Sequence, residues 1–134
     1  MNQLKQTQKM GVKVKLSTLW IIVMFNMAFA DILSFITPGF MKDIVEGTME
    51  IQVNQGLLLV FAILIEIPIM MIFLSRALSY KINRWTNMIA AIITIIFVIG
   101  GGSAYLHYIF FASIETICLL IIIWNAWVWK NGVE

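Results

Sequence analysis

Charge is the scarcest commodity in this chain: 12% of its 134 residues are charged and 61% are hydrophobic. A soluble domain of this size needs far more charge to cover its surface, so that class is excluded and a bilayer is the expected solvent. Cysteine is nearly absent. With Cys118 alone, neither an intramolecular disulfide nor a thiolate metal cluster can form. His107 is the single histidine, and no H-x-x-x-H, E-x-x-H or Cys/His spacing occurs. His107 and Glu115 are also about 12 Å apart along a regular helix, too far to ligate one ion together. No metal or cofactor is therefore expected. Phosphate loops, nucleotide fingerprints and Ser/His/Asp arrangements are missing too, which removes most familiar soluble chemistries. The few basic residues form no nucleic-acid patch and instead suit retention at a membrane face or contact with anionic lipid.

The apolar residues fall in four runs, 16–36, 57–74, 85–101 and 104–129. Each approaches the roughly 20 helical residues that cross about 30 Å of hydrocarbon. Gly100, Gly101 and Gly102 with Ser103 separate the last two runs. Consecutive glycines are poor helix interior and good turn material, so these runs are read as a helical hairpin. The expected fold is all-α: an integral membrane four-helix bundle in a single domain.

Basic residues set the threading, because short basic segments stay in the cytoplasm. Lys5, Lys9, Lys13 and Lys15 precede the first span, Arg76, Lys81 and Arg84 lie between the second and third, and Lys130 follows the fourth. Only Lys42 falls on the other side, beside Asp43, Glu46 and Glu50. Both termini are thus expected in the cytoplasm of a cell-membrane protein. Trp20, Trp85, Trp124, Trp127 and Trp129 fall on that same side, as interfacial tryptophans would. A cleavable signal is the rival reading of the N-terminus, with Ala28-Phe29-Ala30 ahead of Asp31; the apolar run continues past that point to Ile36, which favours a span. In the first outer loop, Thr37 as N-cap, Pro38 at the first helical position and Gly47 at the end predict a short interfacial helix, with a plain loop as the alternative.

Asp31, Glu66 and Glu115 sit inside the apolar runs with no Lys or Arg beside them. Intramembrane acids are expensive and usually face the bundle interior, so these three lead the candidate ligand-binding or proton-binding residues, which also include Asn26 and His107. Their spacing places all three in or near the outer half of the membrane. One shared polar pocket opening outward is the economical expectation, walled by Ala62, Met70, Phe111 and Ala112; separate structural acids are the alternative. Pro68 should bend the second span near Glu66, because its ring frees the carbonyl of Leu64. Asn26 is expected to bond across helices, and His107 to lie at the outer interface with Tyr105 and Tyr108.

Leu16-Ser17-Thr18-Leu19-Trp20, with Ala30-Asp31-Ile32-Leu33-Ser34 and Pro38-Gly39-Phe40, resembles a family of small bacterial four-span membrane proteins of unknown function. That resemblance covers nearly the whole chain and implies a four-helix membrane protein with Asp31 and Glu66 in recurring patterns, without an activity. Glu66-Ile67-Pro68 ahead of Ser75-Arg76 and Arg84-Trp85 is more loosely similar to DoxX-like four-helix membrane proteins, which implies redox or membrane-assembly roles. No cysteine pair or quinone signature accompanies it.

Three function classes follow from the acids. The leading one is a non-enzymatic protein that binds a small amphipathic, hydrophobic or cationic ligand in the acid-lined pocket. The second is a proton-coupled small-molecule carrier, and the third an accessory or assembly subunit that meets a partner membrane protein or a second copy of itself. A membrane enzyme using the acids as acid/base groups ranks last.

Overall fold

A computed structural model describes residues 10–132, so Lys5 and Lys9 of the basic N-terminal segment lie outside the described residues. Five helices make up the described fold: α1 (Val12–Phe35), α2 (Phe40–Glu46), α3 (Gln55–Ala77), α4 (Tyr80–Gly100) and α5 (Leu106–Val128). All but α2 are long and apolar enough to cross a membrane. They pack as a ring in the order α1, α3, α4, α5, with every neighbour antiparallel; α1 against α5 is the most extensive seam and α3 against α4 the least. Large apolar side chains such as Phe25, Leu59, Phe73 and Ile96 point outward, each more than half exposed. An apolar belt of that extent suits acyl chains and not water. The chain is a multi-pass membrane protein.

The helices overrun the apolar runs at the end of the bundle where the chain enters and leaves. Lys13 and Lys15 belong to α1, and Lys81 and Arg84 to α4, because long basic side chains tolerate the interface while the helix continues. At the opposite end, Gly101 and Gly102 close α4 by donating to the carbonyls of Phe97 and Ile99. A Cβ on Gly102 would lie 3.2 Å from the Ile99 oxygen and 3.4 Å from the Tyr108 ring, so this turn needs the missing side chain. The short helix α2 forms as expected but starts later: Gly39, at φ 90°, is its N-cap, and the Thr37 hydroxyl instead donates back to Leu33 at the end of α1. Phe40 ties α2 down by edge contacts with Phe35 and Tyr105, at 5.8 and 6.3 Å between ring centroids. Pro68 lies inside a continuous α3 with its ring fully buried.

Packing is densest towards the end that carries the chain termini. Leu16, Trp20, Val23, Met71, Leu119 and Ile122 form the centre of the core there. Embedded in it is a polar cluster. Asn87 on α4 accepts from Trp20 Nε1 of α1 at 2.8 Å and from Ser75 Oγ of α3 at 3.1 Å, and donates to both oxygens of Asn83. Asn83 donates in turn to the Ser75 carbonyl. Ser17 of α1 donates to the Ile72 carbonyl, and Arg76 donates to the Ser17 hydroxyl. Arg84 caps the end of α5 by donating to the carbonyls of Ala126 and Trp127, at 2.9 Å each. All four long helices are therefore joined at this end by hydrogen bonds that hydrocarbon cannot compete for.

Trp20 belongs to that core and not to an interfacial belt. It is fully buried, and Trp129 joins the same core at 4% exposed, whereas Trp85, Trp124 and Trp127 at the same end are exposed. Replacing Asn87 with Leu would strand the Trp20 indole and the Ser75 hydroxyl, and is expected to cost about 1–3 kcal/mol. Asn26→Leu removes only a bond to the residue's own helix and should stay within about 0.5 kcal/mol of wild type. Reversible unfolding in mixed micelles measures both, and equal losses would refute the network's structural role.

Candidate functional site

At the opposite end, beneath α2 and the α4–α5 turn, all four long helices contribute to one cavity of about 170 Å³. Helical periodicity explains who lines it. Met27, Ala30 and Asp31 come from one face of α1, Phe61 and Ile65 from α3, Phe97 and Val98 from α4 with Gly101 at its C-cap, and Tyr108, Ala112 and Glu115 from α5. Within each helix these residues recur at one, three or four positions, the spacing of a single inward face. Ala30, Gly101 and Ala112 bring little side-chain volume, so the helices meet there without filling the space between them. Phe61 and Phe97 contact edge to face at 5.9 Å and wall the loose α3–α4 seam.

Two of the three intramembrane acids share this cavity. Asp31 is exposed and lies about 6 Å before the end of α1, while Glu115 is only 3% exposed and lies about 14 Å into α5. They stand at its mouth and its floor. Glu115 Oε1 is buried with no hydrogen-bond partner among the described residues, and no Lys or Arg lines the cavity. Buried polar atoms are nearly always paired, so an orphaned oxygen on a carboxyl residue that lines this cavity is unusual; Ser103 Oγ is the other unpaired buried side-chain atom among the described residues. Tyr108 supplies the remaining polar group, although its hydroxyl donates to the Val98 carbonyl at 3.2 Å.

Glu66 departs from the expected placement. It is exposed on the outward face of α3, nearly opposite Pro68, Met71 and Ser75, the buried residues of that helix. It lines no part of the cavity, and its inward neighbour Ile65 does so instead. The physical reason is that α3 is apolar around its whole circumference, so its pattern does not say which side meets the other helices. Of the four expected wall residues only Ala112 lines the cavity; Ala62 and Met70 share the outward face of α3, and Phe111 points elsewhere on α5.

Asn26 and His107 also lie off the cavity lining. Asn26 is half-buried and donates to the Ile22 carbonyl of its own helix at 2.8 Å, so it bridges nothing. His107, half-buried at the start of α5, stacks on Tyr105 and lies 3.2 Å from Ser34 Oγ of α1. The Ser34 oxygen also lies 2.9 Å from the Ala30 carbonyl, and the histidine tautomer sets which partner donates in the Ser34–His107 pair. His107 therefore pins α5 to α1 above the cavity. Phe61 and Phe97 carry no signal in the sequence, and Tyr108 is expected only as an outer-interface residue; it falls seven residues before Glu115, two helical turns along the same face, which is the signal that could have placed it at the site.

The mouth-and-floor arrangement is open to direct measurement. With Cys118 replaced by alanine, Asp31→Cys should react readily with a membrane-impermeant thiol reagent and Glu115→Cys slowly. Equal rates would show that no depth difference separates the two positions.

Comparison with curated proteins and with solved structures gives no match for this chain. A family model does match, over residues 6–133, and it does not show the looser DoxX-like resemblance. By that match, which spans nearly the whole sequence, the chain belongs to a family of unknown function, DUF6326.

Proposed function

We propose that this is a cell-membrane protein with both termini in the cytoplasm that binds a small primary ammonium cation, from the outer side, between Asp31 and Glu115. The orphaned oxygen of Glu115, a residue that lines the same cavity as Asp31, is the observation that carries this reading. Threading follows from charge: Lys13, Lys15, Arg76, Lys81, Arg84 and Lys130 lie at one end of the bundle, and Lys42 lies with Asp43 and Glu46 at the other.

Size and chemistry narrow the ligand. A cavity of about 170 Å³ is smaller than the roughly 300–1,000 Å³ pockets that hold drug-sized molecules, so a large amphipathic ligand does not fit. Two carboxyl groups with no resident base call for a cation. Phe61, Phe97 and Tyr108 line the cavity, and aromatic rings attract organic cations. Glu115 Oε1 lacks a donor, and an alkylammonium group brings N–H donors that a quaternary ammonium does not. Methylammonium is therefore expected to bind more tightly than tetramethylammonium.

Calorimetric titration of the purified protein with methylammonium chloride tests this, with sodium chloride as the ionic-strength control. Wild type should bind, and Glu115→Gln should weaken binding by about 10- to 100-fold, the worth of one charge-assisted hydrogen bond. The same variant should be no less stable than wild type, since the amide keeps the side chain's shape and carries no charge to desolvate. Absence of binding in wild type, or equal affinity in Glu115→Gln, would end this reading.

A further inference from the structure

Glu66 poses a problem that the cavity does not solve. It stands midway along α3, at the depth where hydrocarbon is thickest, and its side chain points straight out of the bundle. Leu59, Ile63, Met70 and Phe73 surround it on that face, between 44% and 65% exposed, and α3 is the least buried of the four spans. Arg76, the nearest basic residue, is about 15 Å along the helix, beyond the reach of a glutamate side chain. A carboxyl facing acyl chains at that depth is costly, and none of the described residues is a hydrogen-bond or ion-pair partner for it.

We propose that two copies of the chain pair through the outward face of α3, with their Glu66 carboxyls hydrogen-bonded to one another at the centre of the contact. The chemistry of the group selects this occupant. A carboxylic acid carries a donor and an acceptor, so it is its own complement once one of the two is protonated. Two copies threaded in the same direction are related by a two-fold axis along the membrane normal, which sets both Glu66 residues at equal depth. Any other membrane protein would need a matching polar group at that same depth, whereas a second copy supplies it by symmetry. Ala62 lies one turn from Glu66 on this face and leaves room for the helices to approach. Phe61 and Ile65, through which α3 lines the cavity, lie about 100–140° round the helix from Glu66, off the pairing face, so pairing is independent of what the cavity holds.

Crosslinking in native membranes tests the geometry, using Cys118→Ala protein that carries one new cysteine. Ala62→Cys and Phe73→Cys, on the α3 face, should join under oxidation into a species of twice the chain mass. Ile96→Cys on α4 and Phe110→Cys on α5, which are equally exposed to lipid, should remain monomeric. Energy transfer between labelled copies in vesicles of phosphatidylethanolamine and phosphatidylglycerol, followed on lipid dilution, then tests the role of the carboxyl. Glu66→Gln, whose amide can still pair with itself, should associate as wild type does, and Glu66→Leu about tenfold more weakly. Helical circular dichroism checks that Glu66→Leu folds. Monomeric α3 cysteines, equal crosslinking from α4 or α5, a crosslinked product of another mass, or undiminished association of Glu66→Leu would each overturn the proposal.

Discussion

Hydrocarbon offers no hydrogen bonds, so every polar atom placed in it must find its partner within protein or remain costly. The two ends of this molecule meet that constraint in opposite ways. At the end bearing the termini, the Asn87 side chain uses its oxygen on Trp20 and Ser75 and its nitrogen on Asn83, and helices α1, α3 and α4 are joined in the process. At the other end, Glu115 is buried to a similar degree and one of its oxygens has no partner among the described residues. A fully satisfied network fixes the fold, whereas an unsatisfied group at the floor of a cavity is where a ligand would gain most by binding.

This division lets one small chain combine rigidity and a binding space. The satisfied end packs Trp20, Leu119 and Ile122 without exposure, and its cross-helix hydrogen bonds hold the helices in register. That register carries the far ends of α1 and α5 into place. The Ser34 and His107 pair then ties those two helices together just above the cavity, and Phe61 against Phe97 closes the looser seam. Between these contacts the small residues Ala30, Gly101 and Ala112 leave space that the acids edge.

The spans were legible because continuous apolar length is a one-dimensional property, and the glycine break before Ser103 shows directly in the sequence. Helix ends were less legible: Lys13, Lys15, Lys81 and Arg84 end the apolar runs without ending the helices. Which way a side chain faces was the hard part. On α4, polar Asn83, Asn87 and Thr94 mark a buried face, but α3 is apolar all round and Glu66 is its only charge before Arg76, so sequence alone put that acid inside. The rule that intramembrane acids face the interior held for Glu115 and failed for Glu66. Asn26 resisted reading for a related reason, since an amide can satisfy itself on its own helix and then reports nothing about neighbours.

A double-mutant cycle on methylammonium affinity, combining Asp31→Asn with Glu115→Gln, tests most directly whether the two acids act as one site. Groups sharing a cavity and a bound cation should couple by more than about 0.5 kcal/mol, with the double variant losing less than the two single variants together. Independent losses that add within about 0.3–0.5 kcal/mol, or no loss in either variant, would contradict a shared site.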